Sequence, residues 1–166
     1  MNNGPGRWIG GLCNLLMWVA CFVGFLMMMH ITVDVTGRVL FNHPLEGTIE
    51  IVSGYYMVAV AFLPLGWIAA HEGHIIVELF TRGLSKRNTL RLDSVVNAVT
   101  FAYMTLFAWQ TGVSAVAEME TGEVWETATG FVAIWPSRLM LPIGCALMAA
   151  YLLMRVIRDI REAGRA

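Results

Sequence analysis

HITVDVTGRVLFNHPLEGTIE, residues 30–50, joins two segments apolar enough to lie in lipid and sets Asp34, Arg38, Glu46 and Glu50 between them. If the preceding helix continues through Arg38, the i,i+4 spacing puts Asp34 and Arg38 on one face, with the acid N-terminal to the base, the favourable order. Glu46 and Glu50 repeat that spacing at the start of the next helix, and Pro44 with Gly47 marks a bend between the two. Two readings stay open on these residues alone. One is a polar hairpin tip that returns the chain to the membrane. The other is a contact with a partner or subunit, which would explain charge held close to hydrocarbon.

Working outward, the windows 8–33, 51–70, 94–117 and 139–154 contain no Asp, Glu, Lys or Arg. About 20 helical residues span the ~30 Å hydrocarbon core, so the first three windows are long enough alone and the fourth needs its flanks. Pro136 makes a sound first helical residue. The expected fold is an all-α integral membrane protein with helices over about 8–38, 48–70, 92–117 and 136–157, forming one domain over residues 1–166. A composition of 57% hydrophobic and 14% charged residues agrees, being far from that of a soluble domain. Continuous apolarity, without alternation, excludes a β-barrel.

The first apolar run is too long for a signal-peptide core and is read as retained. Cys13 and Cys21 are separated by ~12 Å along one helix, too far to bridge. With Cys145 they are read as small packing residues.

Basic residues orient the chain. Arg7, then Arg82, Lys86, Arg87 and Arg91, then Arg155, Arg158, Arg161 and Arg165 fall on one side of a four-helix serpentine, leaving Arg38 and Arg138 on the other. The positive-inside rule therefore puts both termini in the cytoplasm. In the second helix Ser53, Gly54, Ala59 and Ala61 permit close helix approach, and Pro64 should bend it. In the third, Ala98 with Ala102 and Ala108 with Gly112 form small-xxx-small pairs. Between these helices Ile75, Ile76, Leu79, Phe80 and Leu84 recur at helical spacing ahead of basic residues. That pattern describes a short amphipathic interfacial helix over about 74–85, with His74, Arg82, Lys86 and Arg87 anchoring it to membrane lipid or to a partner's cytoplasmic face.

Glu118, Glu120, Glu123 and Glu126 crowd the loop after the third helix with no base among them. Such a loop either stays solvated or docks a basic partner surface. TATGFVAIWP follows, apolar but too short to cross, a length suited to a re-entrant or interfacial piece. Arg138 lies in the first turn of the fourth helix, where the helix dipole disfavours a cation. Its expected partner is an acid such as Asp34 or Glu50, or an anion.

Chemistry is thinly represented. His71-Glu72-Gly73-His74 spaces its histidines i,i+3 with no third ligand evident, unlike a zinc helix. A haem between helices needs two histidines at one depth. His30 and His43 lie at one side and His71 and His74 at the other. No phosphate loop, activated nucleophile, nucleic-acid-binding pattern or inverted repeat is recognised. No catalytic residue, metal or cofactor is therefore assigned. A haem- or quinone-binding four-helix redox subunit is kept as the alternative to an accessory membrane subunit.

Asp34, Arg38, Phe41-Asn42 with Pro44-Leu45, and Glu50, then Gly73-His74-Ile75 with Val77, then Pro142 with Gly144, occur in an order and spacing that resemble the small membrane (Q) subunit of tripartite ATP-independent periplasmic transporters. The resemblance covers nearly the whole chain. One departure is the run Glu46-Gly47-Thr48-Ile49-Glu50, where the family often has an aromatic residue and adjacent acids, so only Glu50 is carried over. The resemblance implies a bacterial inner-membrane protein working with a large many-helix membrane subunit and a periplasmic substrate-binding protein. It also implies ion-gradient-driven uptake of an organic acid at sites on the large subunit, which this chain would scaffold without catalysis. Under it, Asp34, Arg38, Glu50 and Arg138 form a partner-interface or structural charge network, and Glu118, Glu120, Glu123 and Glu126 are candidates for docking the periplasmic protein.

Overall fold

A computed structural model describes residues 5–71, 86–126 and 130–163. Four helical stretches are long and apolar enough to cross a membrane: Trp8–Leu40, Thr48–His71, Leu92–Thr121 and Trp135–Arg158. They are called the first to fourth spans below. The interfacial helix expected over 74–85 lies outside the described residues.

The first span belongs to helix α1, Pro5–Leu40, and the third to helix α5, Lys86–Thr121, each of 36 residues. At 1.5 Å per residue each is ~54 Å long. That exceeds the ~30 Å hydrocarbon core, so both tilt or project beyond it. Helix α1 ends at Leu40 for reasons its sequence states. Asn42 takes a left-handed φ of 51°, which Asn tolerates better than most residues. The chain then turns so that the Phe41 and His43 N–H groups both reach the Gly37 carbonyl at 3.1 Å. Gly37 permits this, since a Cβ there would stand 2.8 Å from the His43 carbonyl oxygen. Pro44 follows.

The second span is interrupted twice. Helix α2, Thr48–Ile51, passes into a π-helical turn over Val52–Tyr56 before α3, Met57–Phe62, begins. Leu63 and Pro64 then form a turn before α4, Leu65–His71. Pro64 has no N–H to give the preceding turn, which accounts for the second break. The fourth span opens with a short helix α6, Trp135–Arg138, and continues as α7, Met140–Ala163.

Between α5 and α6 the chain makes an antiparallel hairpin, β1 Val124–Glu126 on β2 Phe131–Ala133, with Val124 opposite Ala133. Within the stretch expected to be a re-entrant or interfacial piece, the apolar residues 131–133 are one strand of a ribbon at the end of the bundle. Backbone bonds from Glu123 N–H to Glu118 O and from Ile134 N–H to Glu123 O close its base.

Small residues do the packing. Ala20, Ala59 and Leu63 form the buried cluster, with Leu16, Val23 and Met140 against it. Cys13, Ala115, Cys145 and Ala149 are also buried. The three cysteines are free thiols. Gly66 lies against Cys13 and Leu147, so the first, second and fourth spans meet there. Gly144 faces the Phe62 backbone so closely that any Cβ would collide with the Phe62 carbonyl. This is how small residues join membrane helices, by letting backbones approach. Of the small-residue pairs, Gly112 lies against Pro142, whereas Ala98 and Ala102 face outward, as does Ala61.

The second and third spans both make their main contacts with the fourth. None of the apolar window of the third span is buried within the chain. Tyr103, Leu106 and Trp109 are among its exposed side chains.

Candidate functional site

The charges of residues 30–50 are fastened rather than loose. Asp34 is 5% exposed, and its Oδ1 accepts the Leu45 N–H at 2.7 Å. Its Oδ2 accepts from Arg38 Nη2 at 3.1 Å, the i,i+4 pair expected from the spacing. Asp34 therefore staples the loop after α1 back onto the helix, supplying an acceptor for a backbone donor that no helix can satisfy. Arg38 stays largely outside, its side chain 59% exposed.

His30 sits one helical turn before Asp34, with Tyr56 Oη 3.4 Å from Nδ1 and Thr48 Oγ1 3.5 Å from Nε2. The Thr48 hydroxyl hydrogen goes to the Leu45 carbonyl at 3.1 Å. His30 thus lies between two hydroxyls of the second span, each facing one ring nitrogen. The π turn over 52–56 is what carries Tyr56 toward His30 while Tyr55 points to the hairpin. Tyr55 donates to the Ala133 carbonyl, and Gly54 lets Ile134 close on the turn, since a Cβ there would stand 2.8 Å from Ile134 Cδ1. Single π turns of this kind within α-helices are frequent at functional sites.

Arg138 has a different partner from the two expected. Its Nε and Nη2 donate to the two oxygens of Glu123, the Nη2 bond at 2.6 Å. This fork-to-fork arrangement is the strong form of an Arg–carboxylate contact. Neither Asp34 nor Glu50 is in the pair, so the four charges do not form one network. They divide into the Asp34–Arg38 pair on α1 and the Arg138–Glu123 pair at the hairpin, while half-buried Glu50 enters neither. The guanidinium holds the Glu123 carboxyl below the usual glutamate range, chiefly by hydrogen bonding.

The remaining acids are distributed around that pair. Glu118 accepts the Thr121 hydroxyl at 3.2 Å and acts electrostatically on Arg138. Glu120 is exposed, and Glu126 lies exposed on β1. His74 and Arg82 fall outside the described residues, and nothing is described of the Lys86 and Arg87 side chains.

Sequence reasoning missed Tyr55, Tyr56, Thr48 and Glu123 as tertiary contacts. The Glu123 link depends on hairpin register, and the tyrosine links depend on a π turn. What the arrangement does chemically is hold two polar devices at one end of an apolar bundle. Among the described residues no group of three His, Cys, Asp or Glu side chains is placed to hold a metal ion.

The family described as tripartite ATP-independent periplasmic transporters, DctQ component, matches residues 27–162. That range takes in both charge pairs, the hairpin and all of the last three spans. No curated relative and no solved structure matches the chain.

Proposed function

We propose that this chain, which belongs to the DctQ component family of tripartite ATP-independent periplasmic transporters, is the static scaffold of such a transporter. It is a multi-pass inner-membrane protein and a transporter component. Its task, on this reading, is to brace a large membrane subunit while that subunit moves an organic acid, driven by an ion gradient and delivered by a periplasmic binding protein.

The observation that carries the reading is the third span. Its apolar window has no buried residue, and its helix is ~54 Å long, beyond what lipid alone would cover. A helix that packs on one neighbour and leaves Ala98 and Ala102 outward presents a surface suited to close approach by another membrane helix. The exposed Arg38 supplies a cation at the rim. On the same reading both termini are cytoplasmic, the hairpin end is periplasmic, and Glu118, Glu120 and Glu126 meet the binding protein. His74, Arg82, Lys86 and Arg87 then anchor the opposite face to lipid headgroups.

Mild solubilisation of the tagged chain from its native membrane tests the reading. A large membrane protein should co-purify, and deletion of the gene should abolish uptake of one organic acid. Purification of the chain alone, with unchanged organic-acid uptake in the deletion strain, would sink it.

A further inference from the structure

A cavity of about 550 Å³ opens at the hairpin end, between the second and third spans, where both lean on the fourth. Its lining is sorted by depth. Ser53, Thr111, Ser114, Ser137 and Arg138 line its upper part. Val58, Phe62, Phe107 and Leu141 line the lower part. Along the second span ~13 Å separates Ser53 from Phe62, and along the third ~10 Å separates Ser114 from Phe107, so polarity falls off over nearly half a hydrocarbon core. Trp125 of the hairpin and Ile134 close the top.

We infer that this cavity holds one acyl chain of a phosphatidylethanolamine from the leaflet at the hairpin end. The depth gradient is that of a lipid, polar at headgroup level and apolar below. The cavity lies between apolar spans, where the neighbouring medium is acyl chain rather than water. Arg138 lines the mouth, and two acids stand beside it just outside the lining. Arg138 uses two of its five N–H donors on Glu123 and keeps the others for a phosphodiester. Glu123, paired with Arg138, and Glu118, which acts on Arg138 electrostatically, put two negative charges beside that one cation, an excess that a primary ammonium would balance. A zwitterionic headgroup with N–H donors matches that pattern. A quaternary choline lacks the donors, and a glycerol headgroup lacks the cation. This inference concerns the chain alone and does not depend on the scaffold reading.

The full chain, extracted in mild detergent and supplied with mixed micelles of phosphatidylethanolamine, phosphatidylcholine and phosphatidylglycerol, is examined by native mass spectrometry. The wild-type protein should retain one phosphatidylethanolamine. Ser114→Phe, which fills the cavity from an exposed position, should lose it at least tenfold, while Ser114→Ala keeps it; Val58→Phe narrows the opposite wall should the first variant fail to fold. Arg138→Gln should keep a lipid but lose the headgroup preference roughly tenfold, the worth of a charge-assisted hydrogen bond. Equal lipid retention by wild type and by both filled variants would overturn the inference. So would cross-linking of Ser114→Cys to a neighbouring membrane protein in intact membranes, which would make the cavity a socket for protein.

Discussion

Arg138 grips Glu123 with two parallel hydrogen bonds across the base of the hairpin, fifteen residues apart in sequence and adjacent because Ile134 N–H bonds the Glu123 carbonyl. The pair ties the hairpin to the first turn of the fourth span. Arg138→Ala leaves Glu123 without its cation at a position that is still partly covered. The expected outcome is faster proteolytic cleavage near residues 122–134 and reduced assembly or uptake. The loss should be modest in stability, roughly 0.5–1 kcal/mol, because the guanidinium is part-exposed and solvent screens the pair. A double-mutant cycle with Glu123→Gln checks the assignment: the two changes together should cost little more than either alone. Additive losses would mean that the two side chains act separately.

The same pair sets a pH dependence. Glu123 titrates below its ordinary value of 4.5 because Arg138 donates to its charged form. A depressed carboxylate contributes stability that is full above the unfolded value and is lost as pH falls through the folded one. Hairpin protection should therefore be level from neutrality down to about pH 4.5 and decline only below it. Proteolysis by an acid-tolerant protease, read across that range, gives the profile. Glu123→Gln should flatten it, and a wild-type decline already complete above pH 4.5 would contradict the assignment.

Gly144 governs how closely the second and fourth spans approach. A methyl group there meets the carbonyl of Phe62, whose backbone cannot rotate away as a side chain would. Gly144→Ala should force the helices apart at a cost of at least ~1–3 kcal/mol, as overpacking does. Gly10→Ala is the matched control. It also lies in a helix, has nothing within 4 Å of a built Cβ, and should gain ~0.5–1 kcal/mol from helix propensity. Thermal aggregation midpoints in detergent should move in opposite directions for the two variants. A Gly144→Ala protein as stable as wild type would remove the close-contact account.

How much of this was readable from residues alone follows the range of each cause. The four spans rest on continuous apolarity, which is local, and they stand out without any tertiary information. The Asp34–Arg38 pair is also local, set by one turn of helix. The partner of Arg138 depends on hairpin register, the pairing of 124–126 with 131–133, which the apolarity of the stretch does not reveal. The π turn had no local cue: Val52-Ser53-Gly54-Tyr55-Tyr56 reads as ordinary helix, and the contacts of the turn are long-range, Ile134 against Gly54 and Ala133 accepting from Tyr55. In residues 30–50 the spacing gives the Asp34–Arg38 pair but not the loop that Asp34 holds. Asp34 proves to be internal, engaged on both oxygens, and Arg38 is the member of that pair left facing out.

That division of labour separates two substitutions that a simple boundary-charge view would treat alike. Asp34 accepts the Leu45 N–H, so Asp34→Ala should release the loop over 41–47 and speed hydrogen exchange at the Leu45 amide by an order of magnitude or more, the scale of a lost charge-assisted bond. Asp34→Asn, which keeps a side-chain oxygen for that donor, should preserve much of the protection. Arg38→Gln should leave the Leu45 amide protected, because the staple does not run through Arg38, yet weaken co-purification of a large membrane subunit, because an exposed guanidinium is lost from the rim. Exchange at Leu45 and recovery of the subunit are thus expected to split between the two positions. If Arg38→Gln speeds exchange as much as Asp34→Ala and leaves co-purification intact, Arg38 serves the loop and has no partner.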